Sequence, residues 1–263
     1  FPYTTLFRSE FSISAQVVKR NNLLGMVMVN GSHVFDKLTS ISDALKAENM
    51  AAYYGVKPQP MFVEGGSQFG IYAMGSAGID PASGREIFIK KDGTQTFEHD
   101  YADEVVVGNS DPKVEGVIGT SFYYKGFSAS INLRYRLGGQ IFMQTLYDKV
   151  ENLSSVKKWE NLDKRALYDR WKQPGDKAKF KSIADSEVTP ISSRFVEDNN
   201  VLSGESISLG YESTGKWLSR IGASSMSFRA YMNDIFRVST VKNERGLSYP
   251  FARSVSFSLG VTF

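Results

Sequence analysis

The stretch "FSASINLRYRL", residues 127–137, alternates without exception over eleven residues. Phe127, Ala129, Ile131, Leu133, Tyr135 and Leu137 are apolar, and Ser128, Ser130, Asn132, Arg134 and Arg136 are polar. Successive side chains of a β-strand point to opposite faces, so this segment is a strand with one apolar and one polar face. The pattern returns in "SVSFSLGVTF", where Val255, Phe257, Leu259, Val261 and Phe263 face one way and Ser254, Ser256, Ser258, Gly260 and Thr262 the other. Weaker versions run through "FSISAQV", "VEGVIGTSFYY", "ESISLGY" and "SSMSFRAYMN". Six strands are expected, near 10–19, 114–124, 127–138, 202–213, 222–233 and 253–263, in an all-β antiparallel fold.

Alternation alone fits a sandwich, with its polar face in water, as well as a membrane barrel, with its polar face in the lumen. Length and connection favour the barrel. Segments of about ten residues suit a tilted bilayer crossing, whereas globular strands cluster near five or six. "YKG" (124–126) and 214–221 are short connectors, while 20–113, 139–201 and 234–252 are long. If the last strand runs inward, so that 222–233 runs outward and 10–19 outward, every long connector falls outside the cell, the habit of outer-membrane barrels. Phe122, Tyr123, Tyr124, Phe127 and Trp217 flank the short turns, where rings favour the boundary between hydrocarbon and water.

Composition closes other routes. Lys plus Arg number 31 against 28 acids, so no basic field marks a nucleic-acid binder. Without Cys there are no disulfides, thiolate metal sites or cysteine nucleophiles. His33 and His99 lie far apart and lack ligand spacing. No stretch reaches the roughly 18 consecutive apolar residues of a transmembrane helix, which does not bear on a barrel. No phosphate loop, nucleophile elbow or HExxH helix is present, so neither enzymatic chemistry nor a cofactor is expected.

Five blocks carry a resemblance: "IYAMGSAGIDPASGREIFIKKDGT" (71–94), "SFYYKGFSASINLRYRLGGQI" (121–141), "RWKQPGD" (170–176), "SRFVEDNNVLSGESISLGYE" (193–212) and "GLSYPFARSVSFSLGVTF" (246–263). In order and spread over 10–263, they resemble the C-terminal barrel part of SusC/RagA-family TonB-dependent outer-membrane transporters. The resemblance implies a fragment supplying about six strands of a plugged 22-stranded transmembrane barrel with long extracellular loops. It also implies a SusD-like surface lipoprotein as partner, the TonB complex reached through an N-terminal region, and import of oligosaccharides or peptides across a Gram-negative outer membrane. Val255, Phe257, Leu259, Val261 and Phe263 resemble the C-terminal signal read by the barrel-assembly machinery. Ser203, Gly204 and Glu205 depart from the family's usual run there, so that strand is expected to loosen or bulge.

Arg134 and Arg136 fall on the lumen-facing side, where charge escapes the lipid penalty. A passive porin or a soluble β-sandwich binding module is the alternative, but neither the sided connectors nor the terminal Phe263 fits a sandwich. In the loops, "GIDPASGREIFIKKDGT" reads as a hairpin, and "EHDYADE" (98–104) as a solvated acidic stretch. Positions 159, 162, 166, 167 and 171 lie at helical spacing ahead of Pro174-Gly175. A short amphipathic helix is therefore expected, with Trp159, Tyr168 and Trp171 as candidate contacts to substrate or lid.

"FPYTTLFRS", residues 1–9, fits neither period. It is identical over nine residues to the translated end of a widely used short-read sequencing adapter, so native sequence is expected to begin near Glu10. In lipid an open sheet edge leaves backbone groups unsatisfied at several kcal/mol each. The 263-residue chain expressed alone is therefore expected to give no heat-modifiable band on a gel. Such a band would show that it closes by itself.

Overall fold

The computed structural model describes residues 3–53, 61–153, 162–242 and 253–263. Two units partition the chain. One comprises Arg8–Val34, Pro112–Gly138 and Asn199–Phe263, and the other Phe1–Phe7, Phe35–Asp111 and Gly139–Asp198.

The first unit is an antiparallel sheet of seven strands that are neighbours in chain order. They are β1 (Tyr3–Arg20), β2 (Leu23–Ser40), β3 (Val114–Tyr124), β4 (Phe127–Leu137), β5 (Val201–Ser213), β6 (Ser225–Ser239) and β7 (Val255–Thr262). The β3–β4 register runs unbroken from Val114↔Leu137 to Tyr124↔Phe127. Its turn places Lys125 at φ 46° and Gly126 at φ 89°, the double left-handed geometry of a type I′ hairpin. A Cβ on Gly126 would stand 2.3 Å from the Glu212 carbonyl oxygen, so only glycine fits there.

The sequence pattern gave six strands, and the sheet has seven. The region assigned to an outer loop from residue 20 instead begins with the eighteen-residue β2. "LLGMVMV" (23–29) is apolar on both faces, so it shows no period of two, and periodicity alone missed it. With β2 in place, β1 runs opposite to the direction expected of it. It forms a hairpin with β2 through Asn21 and Asn22, and β2, not β1, has the direction expected of 10–19. The long connectors are thus 41–113, 138–200 and 240–254, and all leave from one end of the sheet.

The register sorts the side chains into two faces. Tyr124, Phe127, Tyr211, Phe228 and Leu259 form one apolar row across five strands. The rings of Phe127 and Tyr211 are 4.5 Å apart and those of Phe228 and Phe257 6.1 Å. On the opposite face, Ser130 and Ser208 share a 2.7 Å hydrogen bond and Asn132 donates to Ser206 at 3.0 Å. Among the described residues the apolar face is not covered from within the unit: Phe127 is 59% exposed, Leu209 56% and Phe257 69%. A soluble sandwich hides such a face under a second sheet; hydrocarbon is the other solvent that accepts it.

The second unit holds the greater part of the buried core, including Met74, Val150, Tyr147, Ile191 and Phe195. Its elements are short: pairs Gly70–Ala73 with Val105–Asn109 and Gln140–Phe142 with Val196–Asp198, and a three-stranded piece Gly75–Ile79, Glu86–Ile89, Gln95–Thr96. The last contains the hairpin read from "GIDPASGREIFIKKDGT". Asp43–Tyr53 is a helix of eleven residues. None of the described helices is long and apolar enough to cross a membrane.

Charge on the two sheet faces has unequal consequences. In the full-length protein, Ile207→Arg is expected to cost about 2–4 kcal/mol and Ser208→Arg little, read from denaturant unfolding in phospholipid vesicles. Equal losses would remove the lipid assignment of the apolar face.

Candidate functional site

On the polar face of the sheet, charges stand in opposite-sign pairs at the end from which the long connectors leave. Arg136 is paired in register with Glu115, Nε to Oε2 3.2 Å. The register slips between Gly204 and Ser206, so Glu205 is the extra residue of a bulge. The bulge aims its carboxylate at Arg134, whose guanidinium donates two hydrogen bonds, one of them Nη2 to Oε2 at 3.0 Å. The bulge at Glu205 therefore supplies the acid that balances Arg134. Arg134 and Arg136 share this face with Ser128, Ser130 and Asn132, opposite the row of Phe127.

In the second unit the densest chemistry is a buried charge cluster. Arg194 Nη2 lies 2.8 Å from Glu86 Oε2 and 2.7 Å from Glu151 Oε1. The Glu151 side chain is fully buried, that of Glu86 is 4% exposed, and that of Arg194 11%. Ser76 and Ser192 hydroxyls each donate to Glu86 Oε1 at 2.6 Å, and Thr189 Oγ1 donates to Glu151 Oε1 at 3.0 Å. The Arg194 guanidinium also stacks on Phe195, 4.5 Å from the ring centroid. Burial alone would lower the Arg194 pKa; bonds to Glu86 and Glu151 override it and hold the guanidinium above its ordinary value. Beside this cluster, burial lowers the pKa of Arg170 and Lys181. Arg170 donates to the carbonyls of Ala166, Lys181 and Val150. The Tyr147 phenol, donating to the Thr189 carbonyl at 2.9 Å, is pushed up to about 12, mainly by burial.

These contacts tie segments far apart in sequence. Residues 86, 151 and 194 carry no local motif that unites them, and the sequence pattern singled out none of the three. The helix expected over 159–171 does not form in the described part. A 3₁₀ turn covers Lys164–Leu167, capped by the Asp163 side chain, and Asp169 takes φ 55°, which ends any helix. The buried Arg170 then holds the chain in an irregular path by its three carbonyl bonds.

Of the candidate contact residues, Trp159 lies outside the described residues. Tyr168 is 57% exposed. Trp171 donates its indole N–H to the Pro81 carbonyl at 2.9 Å and lies against Gly84. Gly84 takes φ 73°, and a Cβ there would meet the indole at 2.5 Å. Trp171 thus closes the 80–84 turn, which Asp80 stiffens by accepting from the Ala82 and Ser83 amides and the Ser83 hydroxyl. A cleft of about 350 Å³ adjoins the cluster, lined by Ile79, Arg85, Phe97, Lys181 and Val188 among others. Among the described residues no three His, Asp or Glu converge as a metal site. The terminal apolar series is exposed along β7, from Val255 at 54% to Phe263 at 84%.

The acidic stretch 98–104 is more ordered than its composition suggests. His99 is wedged between Phe88 and Tyr101, with centroids at 5.3 and 4.7 Å. Its Nε2 is buried without a hydrogen-bond partner among the described residues. Burial lowers the His99 pKa, against a bond to the Ile191 backbone and the nearby Glu86 and Asp100.

Comparison with known proteins agrees with this architecture. No protein-family model matches the chain. It is 28% identical over 153 residues, 56% of its length, to TonB-dependent receptor P39 of Formosa agariphila, covering 14% of that receptor. Its fold matches a solved chain of the RagAB peptide transporter with TM-score 0.73 at 14% identity, covering 91% of this chain and 26% of that one. RagAB in its closed-closed state matches with TM-score 0.72 at 14% identity, covering 92% of this chain and 26% of that one. The chain spans about a quarter of the solved chains it matches and less of the curated receptor.

Two predictions follow the buried groups. Arg194→Met leaves two facing carboxylates unpaired at a cost of about 3–5 kcal/mol, so limited proteolysis of the full-length protein in outer-membrane vesicles should cut faster within 139–198; unchanged cutting would show that the cluster does not hold the loops. His99 has a lowered folded pKa, so the unfolded state binds more protons as pH falls below the ordinary value of 6.5. Loop stability is therefore complete above that value and declines below it. His99→Leu should flatten this decline in proteolysis rates between neutral and mildly acidic pH.

Proposed function

We propose that this chain, a β-barrel segment of SusC/RagA type from the outer membrane of a Gram-negative bacterium, serves in a TonB-dependent nutrient importer. The single observation behind the reading is the uncovered two-faced sheet of long strands. Its apolar rows suit lipid, its polar rows suit an aqueous or plugged lumen, and its long connectors share one end. In this reading Arg134 and Arg136 face the lumen as neutralised pairs with Glu205 and Glu115. Paired charges line a polar interior without creating a strong field of either sign.

The long connectors form the outer surface, where the buried Arg194 cluster fixes their shape. A SusD-like lipoprotein is the proposed partner on that surface; the likeness to RagAB supports it. Oligosaccharides or peptides are the proposed cargo, with Trp159, Tyr168 and Trp171 as candidate contacts. For Trp171, the turn of Pro81 and Gly84 already occupies part of the indole, so its contribution would be to loop shape as much as to cargo. The apolar series from Val255 to Phe263 is the proposed signal for barrel assembly, and residues 1–9 are read as adapter-derived. No catalytic role is proposed.

Deleting the complete gene should abolish growth on, and uptake of, the oligosaccharide or peptide pool that its neighbouring genes process. Loss of TonB should have the same effect, and the protein should co-purify with the adjacent lipoprotein. Uptake that persists without TonB would favour the passive porin.

A further inference from the structure

The tight-turn end of the sheet has a charge character unlike the opposite end. Residues 19–22, 125–126 and 214–224 hold Lys19, Arg20, Lys125, Lys216 and Arg220 and no carboxylate. Glu212 on β5 stands beside the 125–126 turn, its N–H donating to the Gly126 carbonyl at 2.8 Å, so five cations share this end with one side-chain acid. All five cations are exposed, and none makes an ion pair among the described residues. At the other end Arg136 is paired with Glu115 and Arg134 with Glu205 on the polar face, and Arg237, in register with Ser203, makes no ion pair among the described residues.

Position relative to the apolar face is the second observation. Tyr124 begins the apolar row that continues through Phe127, Tyr211 and Phe228. The Lys125 ammonium sits 5.3 Å from the Tyr124 ring centroid, beside that face rather than over the polar one. Trp217, 46% exposed, and Ile221, 59% exposed, flank Lys216 and Arg220 in the next turn. The Trp217 indole is held by donating to Ser213 Oγ at 3.2 Å. The rim is therefore a band of aromatic and aliphatic groups capped by cations. That sequence of chemistry matches a phospholipid read from acyl chain to phosphate, with the rings at headgroup level.

We propose that the tight-turn rim of this sheet binds the headgroups of anionic phospholipids in the leaflet it meets. The inference rests on the outer-membrane reading and adds to it a preferred lipid class. Tyr124, Phe127 and Trp217 fix the depth of the rim, and Lys125, Lys216 and Arg220 contact the phosphate. The bond is electrostatic, so it weakens with salt.

The test uses the full-length protein reconstituted in proteoliposomes with spin-labelled phosphatidylglycerol or phosphatidylcholine, reading the motionally restricted lipid fraction. The wild type should prefer phosphatidylglycerol, and each of Lys125→Gln, Lys216→Gln and Arg220→Gln should weaken that preference about fivefold. Lys125→Arg should keep it. A wild type without preference, or a triple variant that retains it, would overturn the proposal. So would crosslinking of the rim to a periplasmic protein in the absence of any lipid preference. Fractionation of cells expressing the full-length protein separates the two levels: an outer-membrane protein without lipid preference sinks only this inference, while a soluble one sinks the membrane reading with it.

Discussion

A backbone that enters hydrocarbon must satisfy its own donors and acceptors, and the seven-stranded sheet is the part of this chain that does so. Each inner strand is hydrogen-bonded to a neighbour on both sides. Among the described residues, β1 and β7 present the free edges of the sheet. The side chains then have one task per face, because a pleated strand cannot send two successive residues the same way. Apolar rows on one face and hydroxyls with paired charges on the other are what remains once the backbone is settled.

The two units solve different problems. The sheet has little core of its own, and lipid stands in for one. The connectors, which meet water, need a core and obtain it from Met74, Tyr147, Val150 and Phe195 around a buried arginine and two glutamates. Three buried charges are expensive unless their oxygens are bonded; here the Ser76 and Ser192 hydroxyls take up Glu86 Oε1, which Arg194 does not reach, and Thr189 adds a bond to Glu151 Oε1 beside that of Arg194. An irregular chain with few ladder hydrogen bonds is held in one conformation by such a cluster.

Legibility from sequence followed the range of the interaction. β4 could be read residue by residue because its pattern is local, and β7 likewise. β2 could not, since "LLGMVMV" is apolar on both faces and a one-dimensional pattern does not say which neighbour covers each side. Glu205 shows a third case: the sequence signalled a disturbance at 203–205, but only the register reveals that the extra residue is the partner of Arg134. The Arg194 cluster left no trace, because its members lie 43 and 108 residues apart and each taken alone reads as a surface charge. The same limit applied to Trp171, whose helical spacing suggested an amphipathic face while its actual partner is the turn at Pro81 and Gly84.

The account stands on the assignment of the two faces of one strand. Single cysteines placed at each position from Phe127 to Leu137 in the full-length protein, with any cysteine outside these 263 residues replaced by serine, in intact outer membranes, can be challenged with a water-soluble maleimide and with a lipid-partitioning one. The account predicts strict alternation, with 128, 130, 132, 134 and 136 reacting with the soluble reagent and the odd-numbered positions only with the lipid reagent. Reaction of both sets with the soluble reagent would contradict it and return the sheet to an aqueous setting.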